Sequence, residues 1–315
     1  MKRLRRAFLV RESIKPMVAF GRVTARKMFS TRSARVRGPV HLLTMQLRHL
    51  ALAITFATLA ACGGGSGFET GTMGLSLTDA GARGHDNVSV AAEPLDRVEH
   101  DCPRNATVIV GFGQSNSANN ARGLRNPDNP KLLNFYRGRC YLARDPLLGA
   151  SGKMGSMLTA LGESLVARGE TVVLVSLGVG GTSVSEWASG KLNDRLRQTL
   201  KSLTKADLSP TYVLWHQGER DAALGTADYA AQFGAVVGAI RESGVQAPVY
   251  AAVATRCFDR APNESLRGAQ LSLPSLYSGV RQGPDTDALG NEYRPDGCHL
   301  LAEPHARLWL QVLSR

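Results

Sequence analysis

The chain has 315 residues, 43% hydrophobic and 20% charged, with a formal net charge of +12. A surplus of that size would suit a nucleic-acid or anionic-membrane partner, but its distribution excludes the first. Residues 1–44 hold twelve Lys and Arg against Glu12 alone, Arg48 adds another, and residues 62–315 are balanced.

The earliest readable element is Met45 to Cys62, "MQLRHLALAITFATLAAC". Arg48 precedes the uncharged apolar run Ala51–Ala61, too short for a bilayer span of about 20 residues but suited to a secretory signal. Its ending, Leu59-Ala60-Ala61-Cys62, resembles the bacterial lipobox. That resemblance implies cleavage before Cys62, a lipid on its sulfur, and a lipoprotein facing the periplasm or the cell exterior. Residues 1–44 have no place in such a signal, so the expected start is Met45 and 1–61 are leader material. "GGGSG" (Gly63 to Gly67) opens a flexible tether and irregular lead-in over 62–100.

From Asp101 onward, short apolar runs alternate with amphipathic stretches. The runs are "ATVIVGFG" (106–113), "TVVLVSLGVGG" (171–181), "TYVLWHQGE" (211–219) and "APVYAAVATRC" (247–257). They are β-branched and apolar on both faces, as in a parallel sheet covered by helices. Helical spacing marks 155–169, 185–203 and 226–244, and the chain closes on a terminal helix; Ser185 and Thr226 are candidate caps for the second and third. The pattern predicts one α/β domain over 101–315. Each run ends in a polar or glycine-rich cluster: "GQSN", "GVGGTS", "HQGERD" and "TRC". In a parallel sheet those clusters share the rim where ligands gather.

On that rim Ser115 is the candidate nucleophile. Gly111-x-Gly113-x-x-Asn116 lacks the third glycine of a dinucleotide fingerprint. "GQSNS" lacks the second glycine of a nucleophile elbow. A serine nucleophile needs a base and an acid to orient it. Among His85, His100, His216, His299 and His305, His299 stands in "RPDGCHL", three residues after Asp296. The oxyanion needs N–H donors already in place. Ser115, Gly180 and Gly181 offer backbone amides, and Gln217 a side-chain amide.

"GQSN" (113–116), "GVGGTSVSEW" (178–187), "WHQGERDA" (215–222) and "DGCH" (296–299) resemble, in order and rough spacing, the four blocks of the SGNH hydrolases. The Gln in "GQSN" and the "WHQGE" string are similar to the branch of sialate O-acetylesterases and related carbohydrate acetylesterases. The resemblance spans about residues 104–315. It implies a flavodoxin-like three-layer α/β/α sandwich on a mostly parallel five-stranded sheet, and ester hydrolysis without metal or cofactor. Carried over, it makes Ser115 the nucleophile, His299 the base and Asp296 its orienting carboxylate. Gly181 and Gln217 join the Ser115 amide in the oxyanion hole, and Glu219 supports the site from behind. Gln217 stands where the wider superfamily has Asn, and Arg220 where a smaller residue is expected. The implied substrate is an acetylated glycan.

Beyond Cys62 there are four cysteines, Cys102, Cys140, Cys257 and Cys298, an even number that allows three pairings in an exported chain. Placing Cys257 on the rim and Cys298 beside His299 favours Cys257–Cys298, leaving Cys102–Cys140 around the nucleophile strand. Trp187, Trp215 and Tyr136 are candidates for stacking on a sugar, although Trp215 fits the core better. The polar stretch 118–150 reads equally as a binding wall or a solvated insertion. Two further readings compete: a non-catalytic glycan-binding lipoprotein, which has no need of Ser115, Asp296 and His299 together, and a lipase-like esterase of the same superfamily.

Overall fold

The structure is a computed structural model and describes residues 96–224 and 228–315. The leader, Cys62 and the lead-in up to residue 95 lie outside the described residues. What is described of the lead-in already belongs to the fold: Glu99–His100 (β1) pairs antiparallel with Arg139–Leu142 (β4).

The remaining strands are Thr107–Gly113 (β2), Leu132–Tyr136 (β3), Val172–Ser176 (β5), Tyr212–His216 (β6), Val249–Val253 (β7) and Val280–Asp285 (β8), in the order β1-β4-β3-β5-β2-β6-β7-β8. The sheet therefore has eight strands, where five were expected. Its centre, β3-β5-β2-β6-β7-β8, is parallel throughout; β4 alone runs against it, pairing antiparallel with β3 on one side and β1 on the other. The additions come from segments with weak strand signals. The stretch 118–150 contributes a hairpin, β3–β4, turned at Arg137 (φ 50°) and Gly138 (φ 86°), the positive-φ pair of a tight hairpin turn. β8, "VRQGPD", is an edge strand whose polar residues and Pro284 conceal it from a pattern search.

Alternation along β2 shows why the sheet is covered on both faces. Val108, Val110 and Phe112 join a core with Trp187, Leu196, Leu200, Phe233 and Leu273. Ile109 joins the opposite core with Leu158, Leu161, Leu174 and Trp309. The first side is covered by Val184–Ala188 (α2), Gly190–Lys205 (α3), Tyr229–Glu242 (α5) and Glu264–Leu276 (α6), the second by Met157–Val166 (α1) and Ala302–Leu313 (α7). Glu219–Leu224 (α4) follows β6 directly. Helices on both faces make the three layers.

The helix expected over 185–203 is broken at Ser189, between α2 and α3. Its cap is Ser183 rather than Ser185: Glu186 reaches back to the Ser183 N–H at 2.7 Å in a capping box. Thr226 lies outside the described residues. Disulfides join Cys102 to Cys140 and Cys257 to Cys298. Because β2, β5, β6 and β7 are parallel, the four polar clusters that follow them meet on one rim.

Candidate active site

The nucleophile turn is built by backbone constraint. Gly113 closes β2 at φ 125°, and a Cβ there would run into the His216 carbonyl, so only glycine lets β2 and β6 approach so closely. The next amide, Gln114 N–H, donates to the same carbonyl at 3.0 Å, and the chain turns into a single 3₁₀ turn, Ser115–Ser117. Gln114 then anchors the neighbouring rim loop: its Oε1 accepts from Arg220 N–H at 3.0 Å, Gly218 N–H at 3.3 Å and Gln217 Nε2 at 3.2 Å. Asn120 Nδ2 donates to the Ser115 carbonyl at 3.1 Å. Among the described residues, neither the Ser115 hydroxyl nor its N–H has a hydrogen-bond partner. The same is true of the Gly181 N–H, whereas Gly180 N–H is taken by Ser151 Oγ at 2.8 Å. That difference separates the two glycine amides that the sequence offered together.

The second half of the site is the loop before α7. His299 Nδ1 lies 2.6 Å from Asp296 Oδ2, while the His299 and Cys298 backbone N–H groups donate to Oδ1 at 2.7 and 3.0 Å. Burial alone would raise the Asp296 pKa, but these three bonds and the imidazole charge outweigh it and hold the carboxyl at about 2. Gly297, at φ 81°, makes the turn that brings both backbone donors onto one carboxylate. With Nδ1 taken, His299 has Nε2 left for other chemistry.

Asn116 links the two halves. Its Oδ1 accepts from Leu300 N–H at 2.9 Å, and its Nδ2 reaches Cys298 O at 3.4 Å and Glu219 Oε1 at 2.7 Å. The residue after Ser115 therefore holds the backbone on both sides of His299. Buried Arg294 reinforces the loop, donating to Cys298 O at 2.8 Å and Thr286 O at 2.8 Å. The Cys257–Cys298 bridge fastens it to the end of β7.

Beneath Asn116 runs a buried polar chain. Glu219 Oε1 meets His216 Nε2 at 3.1 Å, His216 Nδ1 meets His305 Nε2 at 3.0 Å, and Trp309 Nε1 donates to that same His305 nitrogen at 3.1 Å. The indole can only donate, so His305 Nε2 is the acceptor of that bond. His216 Nε2 faces the Glu219 carboxylate, and both side chains are buried. Burial opposes the Glu219 charge, yet His216 and the amide of Asn116 hold its carboxyl at about 2. Burial, with the His216 charge second, pushes His305 well below the ordinary histidine value.

Ser115, Gly180, Gly181 and His299 line one cavity of about 430 Å³, with Asn120, Arg220, Phe258 and Arg260 on its walls. No hydrogen bond joins the Ser115 hydroxyl to His299, and such bonds often tighten only once substrate is bound. Gln217 departs from expectation. It is fully buried, and its Nε2 is committed to Gln114 Oε1, Thr182 O at 3.1 Å and the Asp221 carboxylate. It ties the Ser115 turn to the Gly181 turn instead of facing the cavity. Trp187 and Trp215 are also fully buried, packed with Phe112 at ring separations of 5.3 and 4.9 Å, so neither can stack on a sugar. Tyr136 lines a different cavity. From 118–150 only Asn120 reaches this one. The sequence reading missed Asn116, Arg294, Phe258 and Arg260. Asn116 was legible as the last letter of "GQSN"; the others lie in loops without a pattern.

The family model "Carbohydrate esterase, sialic acid-specific acetylesterase" matches residues 105–309. Among solved structures, an Arabidopsis thaliana protein is 20% identical, with a TM-score of 0.54 over 67% of this chain and 97% of that one. A carbohydrate acetylesterase from Xanthomonas citri is 17% identical, with a TM-score of 0.46 over 65% of this chain and 55% of that one. A carbohydrate esterase family 3 protein from Talaromyces cellulolyticus is 13% identical, with a TM-score of 0.45 over 66% and 97%. No curated protein matches the sequence.

Proposed function

The chain belongs to the carbohydrate esterase family of sialic acid-specific acetylesterases, and from that membership we propose that it is a serine esterase releasing acetate from an O-acetylated sugar through Ser115. The observation that carries the reading is the Asp296–His299 pair opening onto the cavity that also holds Ser115 and the Gly181 amide.

In the proposed first step His299 Nε2 takes the Ser115 proton as the hydroxyl oxygen attacks the acetyl carbonyl. The oxyanion is met by the two N–H groups without partners, Ser115 and Gly181. The sugar oxygen leaves with the proton from His299. In the second step His299 deprotonates water, which attacks the acetyl-serine; acetate departs and Ser115 recovers its proton. Asp296 holds the ring orientation and stabilises the imidazolium throughout.

The finer substrate reading rests on the walls. Arg220 and Arg260 line the cavity, and Phe258 stands 66% exposed at its edge. A carboxylate-bearing sugar such as a sialic acid meets cations there and finds an aromatic face. Anchoring by a lipid on Cys62, at a membrane facing the periplasm or exterior, is proposed on the lipobox pattern and is checked by mass spectrometry of the mature N-terminus.

The test is acetate release from a panel of acetylated glycans and a small aryl acetate. Wild type turns over and Ser115→Ala falls by about four orders of magnitude or more. A wild type silent on every ester, or an active Ser115→Ala, refutes the reading. Replacing Arg220 and Arg260 by Ala raises KM for O-acetyl sialic acid at least tenfold and leaves the aryl acetate within about twofold, since an ion pair contributes to binding only where the substrate carries charge.

A further inference from the structure

A second cavity, of about 480 Å³, lies between α3 and the β3–β4 hairpin and shares no lining residue with the first. Arg195, Gln198, Thr199 and Ser202 line it from α3. Their spacing is that of one helical stripe, set beside the apolar stripe of Leu192, Leu196, Leu200 and Leu203 that enters the core. Tyr136 and Arg137 come from the hairpin turn, with the Arg137 guanidinium 5.0 Å above the Tyr136 ring.

Arg195 sets this cavity apart. Both terminal guanidinium nitrogens are buried, and among the described residues neither has a hydrogen-bond partner. Buried Arg294, by contrast, is satisfied by the carbonyls of Arg256, Thr286, Leu289 and Cys298. Burial lowers the Arg195 pKa, and the Tyr136 phenol is the ionisable group that acts against it. The lining holds no carboxylate to meet Arg195. A charge taken out of water without a counter-ion is among the costliest arrangements in a fold. A guanidinium in that position matches an oxyanion, which it grips through two parallel N–H bonds. The volume suits a ligand of up to sugar size.

We propose that this cavity is a second binding site, separate from the esterase centre, for a small oxyanion-bearing ligand held by the Arg195 guanidinium. The carboxylate of an acidic sugar and the phosphate of a phosphate ester share the chemistry required.

The test is calorimetric titration of the full chain at constant ionic strength with inorganic phosphate, glucuronate and, as a neutral control, glucose. One phosphate or glucuronate binds saturably and glucose does not. The stronger of the two anions identifies the source. Arg195→Met weakens binding at least tenfold; Arg195→Lys, which keeps the charge and loses the fork, weakens it less. Replacing Arg220 and Arg260 by Ala removes any contribution from the esterase cavity and leaves the Arg195-dependent binding unchanged. Should Arg195→Met fail to fold, the Arg195 Nε–H resonance of wild type is followed during the phosphate and glucuronate titrations and shifts along the same isotherm. The absence of saturable binding by either anion, an unmoved Arg195 resonance, or loss of binding in the Arg220 and Arg260 variant overturns the proposal.

Discussion

At the scale of single residues, Asn116 and Gln217 exchange the importance that sequence reasoning assigned them. Asn116 grips the backbone on both sides of His299, across 184 positions of sequence. Asn116→Ala therefore lowers kcat on an aryl acetate by about a hundredfold with KM nearly constant, the penalty for a base displaced by about 1 Å. A Asn116→Ala variant with unchanged kcat would deny it that role. Gln217 acts through the turns it joins, so Gln217→Ala lowers stability as well as rate. Loss of an oxyanion donor alone would cost about 3 kcal/mol of barrier and leave the melting temperature unmoved. Glu219 has a pH signature. Its carboxyl is at about 2 in the fold and about 4.3 in an unfolded chain. A depressed pKa stabilises the fold above the unfolded value, and that contribution disappears as pH falls toward 2. The stability gap between wild type and Glu219→Gln is thus widest above about pH 5 and narrows between about pH 4 and 2, as denaturant midpoints at each pH will show.

At the scale of elements, the site is a set of strand ends tied together by loops. Each parallel strand was legible because burial on both faces demands an unbroken apolar run, as in Val108-Ile109-Val110. The loops were legible only where chemistry required particular residues, as in "DGCH". The β3–β4 hairpin escaped because Asn134 interrupts its pattern. In the fold that side chain is buried and satisfied, accepting from Leu148 N–H at 2.7 Å and donating to Leu174 O at 3.1 Å. Of the two disulfides, Cys257–Cys298 holds the His299 loop and Cys102–Cys140 fastens the hairpin side of the sheet. Cys298→Ser therefore reduces kcat more than Cys102→Ser does, and equal losses would contradict this division of labour.

At the scale of the whole molecule, the parallel centre carries the catalytic rim, and the antiparallel end carries β4 and β1 from segments that sequence assigned to an insertion and a lead-in. The C-terminal helix α7 is part of the site's foundation, since His305 and Trp309 extend the chain of buried polar groups beneath Glu219. Removing residues 302–315 exposes the buried His216 and Glu219 side chains and the apolar face of α1. Such a truncation yields little folded protein by circular dichroism, whereas removal of Ser314 and Arg315 alone does not. By itself the sequence determined the layered α/β class, the rim, and the Asp296–His299 pair. Each of these follows from local rules: side-chain alternation, helical spacing, and a tight loop three residues long. Only the tertiary structure decided the eight-stranded sheet, the choice of Gly181 over Gly180, the burial of Gln217 and the role of Asn116. Those depend on which donors and acceptors remain unpaired once distant segments pack, and that balance is not written in any single stretch of chain.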